Sequence, residues 1–330
     1  MTGLRRHLVV AAGLLISAAA LWFVFQTIEV GEAVDVIRRA DPIWLLAIVG
    51  VVAVQAVLRA WRWSILIPPA DDGSRPSTLR LLPPMLAGYL GNAVLPARLG
   101  EPMRAVIVSR REGIGTTEAL GSVLVERLVD IAMLAVVGFL AALIIAGPAW
   151  TVQLLGVAAG LGIVGMVVLL TVGLEPLLRL ADRLGLRKRP VVRDLAARFV
   201  ATLGGKSRRG ALLAAAGISV VAWLLDAASF WLAAGAVGVD LPYLAAAVIS
   251  AISVLGTAVP SAPGYVGTFE LAASGTAGAL GVPGAQALAL AVVVHVMTLV
   301  PPALAGAVSL VAMGASLGEV AHAAEASGND

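Results

Sequence analysis

The chain contains no cysteine, few aromatic residues and little charge. The absence of cysteine excludes disulfide bonds and thiol chemistry. Charged residues make up only 13% of the 330 residues, whereas 60% are hydrophobic, and the mean hydropathy is +0.97. Soluble domains carry about a quarter charged residues. The composition therefore predicts an integral membrane protein.

Sequence patterns typical of common enzyme classes are also missing. Only three histidines are present, with no HExxH pattern and no cysteine pair, which argues against a metal hydrolase. The Gly-Gly-Lys-Ser segment at 204–207 lacks the glycine that a phosphate-binding loop requires five residues before Gly205. A net charge of +3 does not suggest a nucleic-acid partner. We therefore predict that the protein is not an enzyme and that it uses no cofactor or metal.

Apolar runs define the predicted membrane topology. A spanning helix needs about 20 apolar residues, and two further apolar stretches, about 81–108 and 243–281, are interrupted by proline and glycine. We interpret each of these two as a re-entrant helical hairpin, which a membrane tolerates only where protein or a watery cavity shields the open backbone. The predicted fold is an all-α polytopic membrane protein with these two hairpins and about six full spans, at roughly 8–27, 42–67, 117–147, 152–174, 211–237 and 285–313.

The distribution of basic residues sets the predicted orientation. Ten of the 23 lysines and arginines lie between Arg179 and Arg209, within a loop that we place at 175–210. Such a cluster is typical of a cytoplasmic loop, and Arg5 and Arg6 place the N-terminus on the same side. We predict a location in the cell membrane with both termini cytoplasmic. The loop is expected to attract anionic lipids, at about 1 kcal/mol per basic residue.

The order of the predicted elements repeats along the chain. Residues 8–147 and 152–313 each contain a span, a second span, a hairpin and a final span, within a single transmembrane domain of 1–330. The two halves enter the membrane from opposite sides, so we predict an inverted repeat. Broken helices at corresponding positions of two such halves are how secondary transporters build a binding site near the bilayer midplane.

The interrupted stretches resemble each other in sequence. Segments 90–104 and 255–270 each begin with Leu-Gly-x-Ala, continue through proline and glycines, and lead to a glutamate, Glu101 or Glu270. Pro102 suits the first turn of a new half-helix. The free N–H groups and the positive dipole end of such a helix favour an anion.

Charged residues inside the apolar stretches are the candidate site. A central arginine or aspartate costs roughly 2.5–3.5 kcal/mol in a membrane, so these side chains must pair or line a wet cavity. Arginine guanidinium groups match phosphate oxygens bidentately. The candidates for proton coupling are Glu101, Asp226, Glu270 and His295. The predicted substrate-binding residues are Arg98, Glu101, Arg104, Glu126, Arg127, Asp130 and Glu270.

Structural roles for the same residues remain open. Glu101 can pair with neighbouring arginines and lock its hairpin, and the charged residues of 126–130 can form a salt-bridge cluster on the cytoplasmic side. Glu270 can cap its own half-helix, and a lone histidine such as His295 can serve packing. The arginine- and tryptophan-rich segment 59–63 is interpreted as an anchor at the cytoplasmic interface.

Three motifs together resemble the lysylphosphatidylglycerol synthase transmembrane region family, also called the flippase-like domain family. The resemblance covers about 8–313, and Tyr265 departs from it because glycine is the residue expected there. It implies two inverted re-entrant elements around a central cavity, and movement of lipids or lipid-linked sugars between leaflets. The motifs are Arg98-x-Gly100-Glu101-x-x-Arg104, Glu126-Arg127-x-x-Asp130 and Pro263-Gly264-Tyr265-Val266-Gly267-x-x-Glu270.

Some members of that family carry an appended synthetase-like domain. Only about 17 residues follow residue 313, so a stand-alone translocase is expected. Its predicted partner is a phospholipid or a polyprenyl-linked lipid with an anionic headgroup, with no nucleic acid and with a homodimer left open. The alternative functions are an ion-coupled transporter of a soluble anion and a membrane scaffold that transports nothing.

Overall fold

The computed structural model describes residues 3–70, 72–95, 98–171, 183 and 208–318. Every regular element in these ranges is a helix, which confirms the predicted all-α class. The basic loop predicted at 175–210 lies outside the described residues, apart from residues 183 and 208–210.

Eleven α-helices follow one another in the described part of the chain. A short 3-10 turn at Pro263–Tyr265 lies between the ninth and the tenth helix. The helices are α1 (Gly3–Thr27), α2 (Val30–Arg38), α3 (Pro42–Leu66), α4 (Thr78–Val94), α5 (Gly100–Glu112), α6 (Thr116–Ile144), α7 (Ala149–Thr171), α8 (Arg208–Ala236), α9 (Tyr243–Gly256), α10 (Thr268–Ala279) and α11 (Gly284–Ala312).

Five of these helices, α3, α6, α7, α8 and α11, are long and apolar enough to cross a membrane. Helices α1 and α2 supply a sixth candidate, but they are bent by 89° at the residues between them. The protein is therefore a multi-pass membrane protein. Helix α2 was not predicted, although its apolar residues Val30, Ala33, Val34 and Ile37 recur at the spacing of one helix face.

Both interrupted stretches contain a helix break. Five residues, 95–99, lie between the end of α4 and the start of α5, and we call them the first break; residues 96 and 97 are not among the described ones. Helices α9 and α10 are separated by residues 257–267, the second break. Each pair packs closely: a methyl group added at Gly100 would lie 1.9 Å from the carbonyl oxygen of Gly88, and one at Gly256 would lie 2.8 Å from Cβ of Ala272.

The long helices bring the two breaks together. Helix α3 packs against α8, α4 packs against α11, and α9 packs against α6. Within each half, α5 packs on α6 and α10 packs on α11. The largest apolar core joins α3 to the second half of the chain through buried residues such as Ile48, Phe230, Ile249 and Leu290. This packing consequently brings the two breaks into contact with each other.

Candidate functional site

The first break contacts the second break through Arg98. Its Nη2 donates hydrogen bonds to the backbone oxygen and to Oγ1 of Thr257, both at 2.7 Å. Its guanidinium carbon lies 5.2 Å from the centroid of the Tyr265 ring. On the opposite side of the contact, Gly264 lies against the carbonyl oxygen of Ala93, which would be 3.4 Å from a methyl group added at that glycine.

A polar cavity of about 200 Å³ lies where the breaks meet, and we call it the central cavity. It is formed by residues of both halves of the chain. Its aromatic and apolar wall comes mainly from Trp223, Phe269 and Leu299. Its ionisable and polar residues include Arg59, Tyr89, Asn92, Arg98, Glu101, Arg127, Asp226, Thr257, Tyr265 and His295.

The central cavity has an excess of positive charge. Three arginines, Arg59, Arg98 and Arg127, face two carboxylates, Glu101 and Asp226, so the formal charge is 3 − 2 = +1 when His295 is neutral. Arg127 Nε lies 2.9 Å from Glu101 Oε1, and both side chains are partly exposed. Among the described residues, however, the Nε atoms of Arg59 and Arg127 are buried without a hydrogen-bond partner, since the Arg127 N–H is not directed at that oxygen. The excess positive charge of the cavity favours an anion.

A second group of charges is sealed from solvent, and we call it the buried ion cluster: Arg62, Arg104, Glu126 and Asp130. Arg62 Nη2 lies 2.5 Å from Glu126 Oε1 and donates to Asp130 Oδ2 at 2.9 Å, and Arg62 Nη1 binds the other Asp130 oxygen. Arg104 Nη2 lies 2.7 Å from Glu126 Oε2. Arg62 Nη1 also donates to Ser219 Oγ at 2.7 Å, so the cluster joins α3, α5, α6 and α8.

The position of Arg62 corrects one expectation from the sequence. The segment 59–63 was interpreted as an interface anchor, but Arg62 and Trp63 are both fully buried. Trp63 Nε1 donates to Ser122 Oγ at 2.9 Å, and the Arg104 guanidinium stacks 4.6 Å from a Trp63 ring centroid. The segment was misread because the apolar window runs past it to residue 67. Two arginines three residues apart inside such a window are the signal that points to buried carboxylate partners.

Glu270 and His295 form a separate buried pair beside the central cavity. Glu270 caps α10, since its Oε2 accepts the Gly267 N–H at 2.7 Å, while Oε1 contacts His295 Nδ1. His295 Nε2 faces the Gly264 carbonyl oxygen at 2.7 Å, and the ring stacks on Phe269 at 4.3 Å. A carbonyl oxygen only accepts, so Nε2 carries a proton and the Nδ1–Oε1 contact shares a second one.

Asp226 lines the central cavity with neutral partners. Its carboxylate accepts from Ser250 Oγ at 2.6 Å and from Gln55 Nε2 at 3.4 Å. Arg59 lines the same cavity, with its guanidinium 4.9 Å from a Trp223 ring centroid. Among the described residues, no group of three or more histidine, aspartate and glutamate side chains is arranged to hold a metal ion.

The structure thus divides the predicted site residues into three groups. One group lines the central cavity: Arg98, Glu101, Arg127, Asp226 and His295. A second group belongs to the buried ion cluster: Arg104, Glu126 and Asp130. Glu270 contacts His295 but does not itself line the central cavity. Sequence reasoning missed Arg59 in the cavity and Arg62 in the cluster, and the functional roles of all these residues stay predictions.

Comparison with known proteins agrees with the membrane fold. The sequence pattern of the family described as "Lysylphosphatidylglycerol synthase TM region" matches residues 10–306. Glycosyltransferase AglD of Haloferax volcanii is 27% identical over 356 residues, which cover 95% of this chain and 56% of that protein. A UPF0104 membrane protein of Methanothermobacter thermautotrophicus is 30% identical over 121 residues, 36% of this chain and 35% of that protein. The chain thus spans about half of its longer match, and no solved structure matches it.

Proposed function

The chain belongs to the lysylphosphatidylglycerol synthase transmembrane region family, and on that premise we propose that it is a membrane translocase for a lipid with an anionic headgroup. The headgroup enters the central cavity while the hydrocarbon chains stay in an apolar environment. The Haloferax relative is named a glycosyltransferase, which makes the sugar of a lipid-linked sugar one candidate headgroup. We propose no enzymatic activity for the part of the chain described here.

The excess positive charge of the central cavity carries this proposal. A phosphate group needs several fixed donors, and guanidinium groups supply them in a fork that matches its oxygens. Arg98 reaches the cavity from the first break, and Arg127 reaches it from α6. The Glu101 carboxylate lies against Arg127, and an anionic headgroup would take its place.

The buried ion cluster has a supporting role in this proposal. Arg127 lies in sequence between Glu126 and Asp130, both of which Arg62 holds. Fixing these two carboxylates fixes the face of α6 on which they lie. Arg127 lies between the two sites: its Nε is 2.9 Å from Glu101 Oε1 at the central cavity, and its Nη1 is 3.7 Å from Asp130 Oδ2 of the cluster.

Alternating access would expose the central cavity to each leaflet in turn. We propose that both broken helix pairs are re-entrant and that the two halves of the chain form an inverted repeat. The supporting observation is that packing contacts recur between the halves: α4 packs on α11 as α9 packs on α6, and α5 packs on α6 as α10 packs on α11. Rocking of one half against the other would move the cavity opening.

Transport would be downhill or coupled to protons. The proton shared by Glu270 and His295 lies next to the second break, and Glu101 and Asp226 are further carboxylates on the cavity wall. Protonation of Glu270 would change the charge of the buried pair beside the central cavity. We propose a cell-membrane location with cytoplasmic termini, which rests on the basic residues alone.

A leaflet-resolved assay in proteoliposomes tests the proposed function. The probe is a fluorescent phosphatidylglycerol, quenched from outside by a reductant that does not cross the bilayer. Folded Arg98→Ala and Glu101→Gln proteins are expected to lose movement. The matched control is Arg38→Ala, which removes an exposed arginine of α2 that pairs at 3.6 Å with Asp35. Wild-type rates in both site variants would refute the assigned roles.

Two other functions give different outcomes in the same vesicles. An ion-coupled transporter of a soluble anion would take up inorganic phosphate or a sugar phosphate and leave the lipid probe in place. A scaffold would do neither, and its cavity arginines could be neutralised together with their carboxylate partners without effect. A mostly apolar cavity adjoins Arg98. Space of this kind suits a lipid tail, so it favours the lipid over the soluble anion.

A further inference from the structure

We infer that a second, apolar cavity holds a hydrocarbon chain of the transported lipid, and that helix α1 is the lateral gate through which the chain enters. The inference rests on the proposed function, because it assigns the tail of the lipid whose headgroup occupies the central cavity. The acyl or prenyl nature of the chain is left to experiment.

The apolar cavity, which we call the side cavity, has a volume of about 240 Å³. It shares four lining residues with the central cavity: Asn92, Arg98, Thr257 and Tyr265. A lipid phosphate bound by Arg98 therefore has an apolar space within reach on the other side of the same side chain. No aqueous ligand needs such a space, but a lipid tail does.

The outer wall of the side cavity is helix α1. Leu14 lines the cavity, opposite Leu95 of the first break and Val259 of the second break. Leu14 is also 51% exposed, and its neighbour Leu15 is 70% exposed and does not line the cavity. The surface of α1 around these leucines is exposed and apolar, as is Val259, so this side of the cavity is suited to contact with lipid.

Helix α1 is attached to the protein along one narrow stripe. Gly13, Ser17, Ala20 and Val24 form the buried face of its described side chains, and α10 is its main packing partner among the described helices. Small residues allow close helix approach without a large apolar interface. Most of the described side chains of α1 are exposed, so the interface that holds this helix is narrow.

Among the described residues, one hydrogen bond joins α1 to the second break. The backbone N–H of Ala262 donates to Ser17 Oγ at 2.8 Å. The backbones also touch at two glycines: a methyl group added at Gly13 would lie 2.8 Å from the Ser261 carbonyl oxygen, and one at Gly267 would lie 2.6 Å from that of Ser17. This contact holds α1 against the side cavity, and breaking it would widen the opening of the cavity to lipid.

The C-terminal end of α1 is fixed more firmly. Val24 is buried in a cluster with Ala33 of α2 and Leu288 of α11, beyond which the chain bends by 89°. Opening would therefore be a swing of the part of α1 around Gly13 and Ser17, with the end at Val24 as the pivot.

Cross-linking tests the gate directly, since the chain has no native cysteine. Ser17→Cys combined with Ala262→Cys places thiols on two residues that are now joined by a 2.8 Å hydrogen bond from the Ala262 backbone N–H to Ser17 Oγ, and oxidation is expected to link them. The oxidised protein is expected to move the fluorescent phosphatidylglycerol at least ten times more slowly than the same protein after reduction. Equal rates before and after reduction would overturn the gate.

Tail occupancy is measured without any transport. Leu14→Trp fills the side cavity, and Leu15→Trp is the matched control on the lipid-facing side of the same helix. Native mass spectrometry after reconstitution with phosphatidylglycerol should show several-fold less retained lipid for Leu14→Trp than for Leu15→Trp. Equal retention would overturn the tail assignment.

The two measurements separate this inference from the proposed function. If the reduced cysteine protein moves no lipid although it is folded, the translocase proposal fails while the retention experiment still decides whether the side cavity holds a tail. If lipid moves but neither cross-linking nor Leu14→Trp has an effect, the translocase proposal survives and the gate with its tail site is wrong.

Discussion

Arg98 and Tyr265, one from each break, stack on each other with 5.2 Å between the guanidinium carbon and the ring centroid. Both have a left-handed backbone, with φ of +56° and +61°. Non-glycine residues adopt this conformation at a cost, and they are found there mostly at functional sites. The tyrosine that replaces an expected glycine thus gives the arginine an aromatic partner that glycine lacks.

Tyr265 offers a test that separates stability from function. Tyr265→Gly removes backbone strain, so we expect the melting temperature in detergent to stay equal or rise, because such strain costs roughly 1–3 kcal/mol. The ring that positions Arg98 is lost, and lipid movement should fall several-fold. Tyr265→Phe keeps the ring and should move lipid at the wild-type rate. Wild-type movement by Tyr265→Gly would show that the stacking contact has no role.

The buried ion cluster predicts a large stability effect at Arg62. Arg62→Met leaves Glu126 and Asp130 without their shared partner, and unpairing a buried charge costs about 3–5 kcal/mol. Thermal unfolding in detergent measures the loss. Adding Asp130→Asn to Arg62→Met should recover part of it.

The control for Arg62 is a surface ion pair. Arg80 and Glu112 are 3.5 Å apart, with the arginine side chain 71% exposed, and Arg80→Ala should cost less than about 1 kcal/mol. A similar loss for Arg62→Met and Arg80→Ala would contradict the proposed role of the cluster.

Glycine at the start of α10 is required by its surroundings. Gly267 has φ +92°, and a methyl group there would lie 2.6 Å from the backbone oxygen of Ser17. Gly267→Ala should therefore lower the melting temperature and loosen α1, which limited proteolysis of α1 would report. Gly275→Ala in the same helix has open space around it and should be neutral or stabilise by up to about 1 kcal/mol. An equal response of the two variants would argue against this contact.

The Glu270–His295 pair predicts a change in proton coupling. Glu270→Gln retains an oxygen that can accept the Gly267 N–H, so α10 should stay folded. The amide cannot exchange the proton that the carboxyl group shares with His295 Nδ1. Lipid movement by Glu270→Gln should thus lose its response to an imposed pH gradient, measured in vesicles with different internal and external pH. A wild-type response would exclude Glu270 from coupling.

The sequence contains enough information to predict the membrane class and the positions of both breaks. Apolar length places the spans, and proline with glycine interrupts 81–108 and 243–281, where α4–α5 and α9–α10 are now seen. Charge inside an apolar window also identifies nearly all of the ionisable residues that the structure brings together. These features depend on local sequence, which is why they can be read from it.

The pairing of those charges could not be predicted, because it depends on how distant helices pack. Arg62 is 64 residues from Glu126 and 157 residues from Ser219, and only the packing of α3 with α6 and α8 joins them. For the same reason, the ion pair between Arg104 and Glu126 was not predicted, and the substrate-binding role of Arg104 stays a prediction. Helix α2 was missed because it is short and only one of its faces is apolar. The re-entrant path and the inverted repeat stay predictions.

The central claim is that both breaks meet around one cavity, and cross-linking between them in lipid tests it most directly. Arg98→Cys combined with Thr257→Cys should be joined by a bifunctional thiol reagent about as long as an arginine side chain, because Arg98 Nη2 lies 2.7 Å from Thr257 Oγ1. Leu79→Cys with Thr257→Cys is the control, since Leu79 lies roughly 22 Å from Val94 along α4. The account predicts cross-linked peptides from the first pair and none from the control. Cross-linking of the first pair at the control level would contradict it.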